Sequence, residues 1–346
     1  MHVKGMIEIS LVLLLFFLSC CGGFVQSQWK QRWMHGSIIS MISLTDINDR
    51  ILMENAERIG RKEQSLVGSK TPLAVMEPLP LKSFEKRLKN GQNLVNAILL
   101  KDGCVSLKSV LSEDTALSLY DFVATEKALS EEKVAKGLQK YDSLFGAVNN
   151  RRNRADVFLP YDSEIVQKSL FEATENVFPL LNELEGMKET GMLHELSSFV
   201  SDPGSPNQCV HCDTPFLQNV KPLYTFFVAL QDVDDDMGHT TYLPQTQIKE
   251  AHEIFNGPQK QKEELIANAK CVRSNLKIGD AAIFDSRVLH FGGANTSQKR
   301  RILFYFTFTA GDVQKNNPNP ARGMGSIRFE DDQKYSWTHF ANKIAQ

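Results

Sequence analysis

The change of hydrophobic period after Gly191 constrains the fold of this chain more than any other feature. From that residue onward, apolar and polar side chains alternate along short runs, which are separated by turn-forming clusters such as Asp202 to Pro206. Alternation with a period of two is typical of half-buried β-strands. The strands predicted in this way are 193–201, 208–214, 223–231, 240–243, 281–284, 288–291 and 301–309. Many short strands in succession predict a jelly-roll or sandwich.

A mainly helical block precedes the strands. Helices are predicted to begin at Ser112, at Ser130 and at Asp162 or Ser163, because these residue types cap helix N-termini. Helices followed by strands indicate an α+β fold. The predicted architecture is therefore a mainly β core, a jelly-roll, braced by N-terminal helices.

The first 23 residues predict a targeting segment. Leu11 to Leu18 is an uninterrupted apolar run, Lys4 precedes it and small residues follow it, as in a secretory signal peptide. The run is shorter than the roughly 18 apolar residues that cross a bilayer, so a retained signal-anchor is the alternative interpretation. The predicted location is the secretory pathway, the endomembrane system or the outside of the cell, with membrane contact only through this segment if it is not cleaved.

The remaining chain is divided by its periodicity. Residues 24–95 show little regular apolar spacing and contain a stretch rich in proline and glycine, so they are predicted to be an N-terminal extension or linker. The pattern tightens near residue 96, where the main domain, residues 96–346, is predicted to begin. No signal for an oligomeric state is visible.

The balance of charge excludes one class of partner. The 39 Lys and Arg residues nearly equal the 41 Asp and Glu residues, so no large positive field draws the protein to nucleic acid. A small-molecule substrate is favoured instead.

His211, Asp213 and His290 are the candidate metal ligands. Alternate residues of a strand face the same side, so His211 and Asp213 point together. His290 lies on a later predicted strand that a jelly-roll can place beside them. Two histidines and one carboxylate form the facial triad of non-haem Fe(II) oxygenases, which leaves coordination positions open for an oxidant and O₂.

Arg301 is the candidate anchor for the co-substrate 2-oxoglutarate. It follows His290 closely in sequence, and an arginine can bind a carboxylate through two parallel hydrogen bonds. By strand alternation Arg301 shares the more polar face with Tyr305, whereas Arg300 shares the face of Phe304 and other predicted core residues. Arg300 is therefore interpreted as a rim or pairing charge.

These residues resemble the phytanoyl-CoA dioxygenase family. The resemblance covers roughly residues 96–310 and is carried by the loop before Arg301 and by the metal-ligand motifs, at residues 211–213, 280–290 and 292–297. It implies a double-stranded β-helix in which His211, Asp213 and His290 hold Fe(II) and are the catalytic residues.

The same resemblance implies a reaction class. The enzyme would consume 2-oxoglutarate and O₂, with ascorbate as reductant, and release succinate and CO₂. It would oxidise an unactivated C–H bond of a small organic molecule by hydroxylation, desaturation or oxidative cyclisation, as in secondary metabolism. Two alternatives stay open: a peptidyl prolyl hydroxylase of the secretory pathway, and a catalytically inactive jelly-roll that binds a ligand or partner.

Three further patterns are interpreted without a chemical role. The sulfurs of Cys209 and Cys212 would lie on opposite faces of a strand, which argues against a zinc or redox pair, and Cys209 is assigned to the wall near the iron. The sequon at Asn295 is interpreted as ordering its loop rather than carrying a glycan. A basic cluster is interpreted as solvated surface: Arg151, Arg152 and Arg154.

Overall fold

The computed structural model describes residues 38–309, 326–327 and 333–345, with side chains from residue 52 onward. The predicted targeting segment, residues 1–23, lies outside the described residues, so the signal peptide and the location of the protein stay predictions. Within the described ranges, no helix combines the length and the apolar character needed for a membrane crossing.

The helices lie mainly before the strands, as predicted. Two predicted starts are confirmed, because Ser112 and Ser163 immediately precede helices. The start at Ser130 is wrong: the helix that begins at Glu113 continues through it, since strong helix formers surround a buried serine that interrupts nothing. The described helices are α1 (Ile38–Leu66), α2 (Leu94–Asp102), α3 (Glu113–Ala135), α4 (Glu164–Asn176), α5 (Phe178–Leu181), α6 (Met187–Thr190), α7 (Lys249–Phe255), α8 (Gln259–Asn268) and α9 (Trp337–Ile344), with 3-10 turns at Leu81–Glu85, Tyr141–Ser143 and Gln333–Tyr335.

Two sheets form the β core. The strands are β1 (Ala74–Met76), β2 (Cys104–Leu107), β3 (Arg154–Phe158), β4 (Met192–Ser201), β5 (Leu223–Ala229), β6 (Thr240–Leu243), β7 (Val272–Ser274), β8 (Ala281–Asp285), β9 (Leu289–Gly292) and β10 (Arg301–Thr309). The larger sheet has the order β2-β8-β5-β10-β4-β3 and the smaller has the order β1-β7-β6-β9. Neighbours are antiparallel except for β1 and β7. The predicted α+β double-stranded β-helix with a mainly β core is confirmed.

The two faces of the larger sheet have different partners. Ile302, Phe304, Phe306 and Phe308 of β10 belong to the main apolar cluster, together with residues of α3, α4 and α9. Leu303 belongs instead to a cluster that contains residues of the smaller sheet. Helices therefore cover one face of the larger sheet, and the other face lies toward the smaller sheet.

Packed structure already precedes residue 96. β1 pairs with β7 in the smaller sheet, and Phe84 is buried in the main apolar cluster. The boundary at residue 96 stays a prediction, but the described part of the extension packs on the rest of the molecule and is not a free linker.

Candidate metal centre

The structure brings the three predicted ligands together. The candidate donor atoms of His211, Asp213 and His290 all lie within 4.8 Å of one another. The distance from Asp213 Oδ1 is 3.8 Å to His211 Nε2 and 3.6 Å to His290 Nε2. One ion can therefore contact two nitrogens and one carboxylate oxygen, which is the donor set of a facial triad.

The backbone reaches this geometry without the strand predicted over residues 208–214. His211 and His290 form an isolated antiparallel bridge, in which each amide donates to the other residue's carbonyl at 2.9 and 2.7 Å. The chain then turns, because the amides of Asp213 and Thr214 both donate to the carbonyl of Ser286, at 2.9 and 3.1 Å. The predicted strand is thus wrong in length, although the side chains of His211 and Asp213 do converge.

Hydrogen bonds determine which ring nitrogen faces the site. His211 Nδ1 lies 2.9 Å from the carbonyl of Cys209, and His290 Nδ1 lies 3.0 Å from the carbonyl of Val288. A carbonyl oxygen only accepts, so each Nδ1 carries the proton and donates. Each Nε2 is then left with a free lone pair, as a metal ligand requires.

The charge states also suit a cation. The pKa of both histidines is lowered to about 4, chiefly by burial, and for His211 the neighbouring His290 contributes to the shift. Desolvation raises the pKa of Asp213 to about 6, and His211 opposes that shift. At neutral pH the two imidazoles are uncharged and the carboxylate is ionised. The side chain of Asp213 is 40% exposed and that of His290 is 5% exposed, so the site opens on the Asp213 side.

Arg301 is buried at the start of β10, whereas Arg300, interpreted from the sequence as a rim or pairing charge, is part-buried. Arg301 is 2% exposed; its Nη1 donates to the Gly238 carbonyl, its Nη2 donates to Ser201 Oγ at 3.3 Å, and its Nε has no hydrogen-bond partner among the described residues. Arg300 is part-buried and donates to Asp202. Burial lowers the pKa of Arg301 to about 10, so it remains charged at neutral pH. Within the described ranges no carboxylate pairs with it.

A second buried arginine was missed by sequence reasoning. Arg154, interpreted as surface, is 3% exposed. Its Nε donates to Ser201 Oγ at 3.3 Å and its Nη2 to the Gly293 carbonyl at 3.1 Å, while its Nη1 has no partner in the part of the chain that the structure describes. Burial and the charge of Arg301 lower its pKa to about 9. The signal was available: Ala155 and Val157 alternate with polar Asp156, which indicates a strand, and Arg154 falls on its polar face.

Register explains why the two arginines meet. Ser201 ends β4, and it is opposite Arg154 on β3 and opposite Arg301 on β10. Both guanidinium groups therefore flank one serine hydroxyl. Arg152, from the same basic cluster, stays exposed and pairs with Glu57 at 3.3 Å, as predicted for solvated surface.

The loop after His290 is ordered by a buried amide. Asn295 is fully buried, and its Nδ2 donates to the carbonyls of Ser201 and Lys299 at 2.9 and 2.8 Å. A glycan on this nitrogen would break both bonds. The interpretation of the sequon as a loop-ordering element is consistent with this packing.

The Cys-x-x-Cys spacing forms no site. Neither Cys209 nor Cys212 forms a disulfide within the described part of the chain. Cys209 Sγ donates to the carbonyl of Ala56 in α1, so it faces the helix and not the ligand cluster, whereas Cys212 packs against a separate apolar cluster. The assignment of Cys209 to the wall near the iron is corrected accordingly.

Comparison with known proteins identifies a family that matches this chain. A model of the family described as Phytanoyl-CoA dioxygenase (PhyH) matches residues 100–303, more than half of the chain. The protein called Dioxygenase ALT11, from Alternaria alternata, is 28% identical over 126 residues. That match covers 34% of this chain and 38% of the fungal protein, so it spans well under half the length of either.

Solved structures show weaker similarity. The non-heme alpha ketoglutarate dependent epimerase SnoN from nogalamycin biosynthesis is 18% identical with a TM-score of 0.45, over 62% of this chain and 81% of that chain. AviO1 from Streptomyces viridochromogenes Tue57 is 16% identical with a TM-score of 0.47, over 64% of this chain and 96% of that chain. TM-scores this low carry no functional weight.

Proposed function

The chain belongs to the phytanoyl-CoA dioxygenase family, and on that premise we propose that it is an Fe(II)- and 2-oxoglutarate-dependent dioxygenase acting on a small organic molecule. The observation that carries the proposal is a cluster of two histidines and one carboxylate, together with two buried arginines that have no carboxylate partner among the residues the structure describes. The first fits a divalent iron ion. The second fits the distal carboxylate of 2-oxoglutarate, because a buried charge requires a counter-charge.

The metal-ligand cluster and the two buried arginines have separate proposed roles. His211, Asp213 and His290 would hold Fe(II), and Arg301, with Arg154 beside it, would bind the co-substrate. When bound, the iron supplies activation of O₂, which unactivated C–H bonds require. For hydroxylation the balance is one substrate C–H, one O₂ and one 2-oxoglutarate consumed, with one C–OH, one succinate and one CO₂ formed. Desaturation and oxidative cyclisation share the same co-substrate, and ascorbate would keep the iron reduced.

The protein itself excludes water on the His290 side. The ring of His290 lies 4.9 Å from that of Phe284 and 5.9 Å from that of Tyr242, and both aromatic side chains are fully buried. An apolar wall strengthens electrostatic interactions inside the site. The open side near Asp213 is where we propose that substrate enters.

The test of this function is anaerobic titration of the purified protein with Fe(II) and then 2-oxoglutarate. We expect a weak visible charge-transfer band that needs both components. Under air, with ascorbate present, we expect slow release of succinate even without the true substrate. Absence of both signals from folded protein would contradict the dioxygenase and favour the inactive binding jelly-roll. Activity on proline-rich peptides would favour the prolyl hydroxylase.

Arg154→Ala should weaken 2-oxoglutarate binding by about tenfold, because one charge-assisted hydrogen bond to a carboxylate contributes roughly 1.5 kcal/mol. The KM for 2-oxoglutarate in succinate release measures the effect. Arg152→Ala is the matched control from the same cluster, and its KM should stay within twofold of wild type. Equal KM values for the two variants would remove Arg154 from the co-substrate site.

We also propose that the enzyme works in the secretory pathway or endomembrane system, or is secreted. The support is the composition of residues 1–23 alone. Sequencing the N-terminus of the mature protein would test it, since a start beyond residue 23 indicates cleavage of a signal peptide.

A further inference from the structure

One face of helix α1 lies directly on the backbone that leads to His211. Cys209 Sγ donates to the carbonyl of Ala56 at 3.1 Å, and the amide of Val210 donates to Glu63 Oε2 at 2.7 Å. Between these contacts Gly60 approaches so closely that a Cβ built on it would lie 2.8 Å from the Asn207 carbonyl oxygen. Residues 56, 60 and 63 recur at helical spacing, so they form one contact face.

The contacts with α1 take the place that a second neighbouring strand would have beside residues 209 and 210. Among the described residues, the backbone at His211 forms a bridge with His290 and with no second strand. The amide of Val210, the residue before the ligand, would be an unpaired buried donor if Glu63 did not accept from it. The helix therefore completes the hydrogen bonding of the segment that carries the first ligand.

The charge of Glu63 is compensated by a third element. Glu63 is 2% exposed, and its Oε1 lies 2.8 Å from Nζ of Lys262 in α8. The ammonium group of Lys262 also lies 4.3 Å from the centre of the Phe255 ring in α7. A buried carboxylate paired and hydrogen-bonded in this way has a fixed position, so it can position what it binds.

We propose that helix α1 is a working part of the iron site, in which Glu63 is a positioning residue that holds the backbone of His211 for metal binding. The inference rests on the proposed function, because it assumes that His211 is an iron ligand. It assigns to the N-terminal extension a role in metal affinity, in addition to packing. Glu63 itself does not contact the metal cluster.

Two variants test the contact in different ways. Glu63→Gln keeps an acceptor of the same shape but removes the charge that pairs with Lys262. In an isolated helix Gly60→Ala would be stabilising, since alanine is the better helix former. In this protein the added Cβ would be too close to the Asn207 carbonyl oxygen, so the backbone before His211 would have to move. Arg58→Ala, an exposed position of the same helix, is the matched control.

The measurement is the Kd for Fe(II), taken anaerobically well below the melting temperature of each variant, with the visible band of the 2-oxoglutarate complex recorded in parallel. We expect both variants to bind Fe(II) about tenfold more weakly, as for loss of an outer support of a metal ligand, and the control to match wild type. We also expect the band to be shifted or weakened in both variants at saturating iron. A purely structural role would lower only the melting temperature.

The outcomes separate this inference from the proposed function. If wild type binds Fe(II) and both variants bind it equally well, the positioning role is wrong while the dioxygenase stands. If wild type binds no Fe(II), both proposals fall. Should Gly60→Ala not fold, Glu63→Gln decides the question alone, because it is nearly isosteric.

Discussion

Replacing His290 by glutamine is expected to weaken Fe(II) binding by more than about a hundredfold and to abolish succinate release. Loss of a residue that only supports a metal ligand typically weakens binding by about 10-fold to 100-fold, and loss of a ligand itself should cost more. His290 Nε2 carries a lone pair that faces Asp213, because His290 Nδ1 donates its hydrogen to the Val288 carbonyl. A glutamine preserves much of the side-chain volume, so a large change in fold is not expected. The Kd for Fe(II), with the melting temperature of the metal-free protein, measures the effect.

The matched control is another buried histidine. His252 uses both ring nitrogens in the protein: Nδ1 accepts from the amide of Phe216 at 3.1 Å, and Nε2 donates to the carbonyl of Arg287 at 2.8 Å. His252→Gln should therefore affect stability more than it affects Fe(II) affinity. If His290→Gln kept wild-type affinity, the ligand assignment would have to be abandoned.

Replacing Arg301 by alanine is expected to raise the KM for 2-oxoglutarate about a hundredfold while Fe(II) affinity stays unchanged. A buried guanidinium that forms paired hydrogen bonds to a carboxylate contributes roughly 3 kcal/mol, which corresponds to a factor of about 100. The loss should be larger than for Arg154→Ala, because we propose that Arg301 forms two hydrogen bonds to the carboxylate and Arg154 only one. Saturation curves for 2-oxoglutarate in succinate release measure it.

Arg300→Ala is the control for charge alone. It removes the same group one residue away, where the side chain is part-buried and pairs with Asp202. Its KM for 2-oxoglutarate should remain within twofold of wild type. A hundredfold effect in Arg300→Ala and none in Arg301→Ala would show that Arg300, and not Arg301, binds the co-substrate.

The positions of the metal-site residues followed from rules that act over a few residues. His211 and Asp213 are two apart, and the two-residue period of extended chain places them on one side even though only His211 forms a bridge. The same period separates Arg300 from Arg301. The predicted strand over 208–214 was nevertheless too long, since the turn at Asp213 depends on the Ser286 carbonyl, far away in sequence.

Arg154 and helix α1 escaped prediction for a different reason. Arg154 is defined by its register opposite Ser201 and by a hydrogen bond across 139 residues to Gly293. Glu63 is defined by a hydrogen bond across 147 residues to Val210. A basic cluster and a stretch with little regular apolar spacing give no sign of these contacts until the strand order is known.

The sequence by itself predicted the class of the fold, the three candidate metal ligands and the choice of Arg301, from residue type, local periodicity and the motifs that resemble one family. Only the tertiary structure showed that Arg154 lies beside Arg301 and that α1 contacts the segment before His211. Both depend on which strands and helices become neighbours, and that is settled by long-range packing and hydrogen-bond completion rather than by any short stretch of chain.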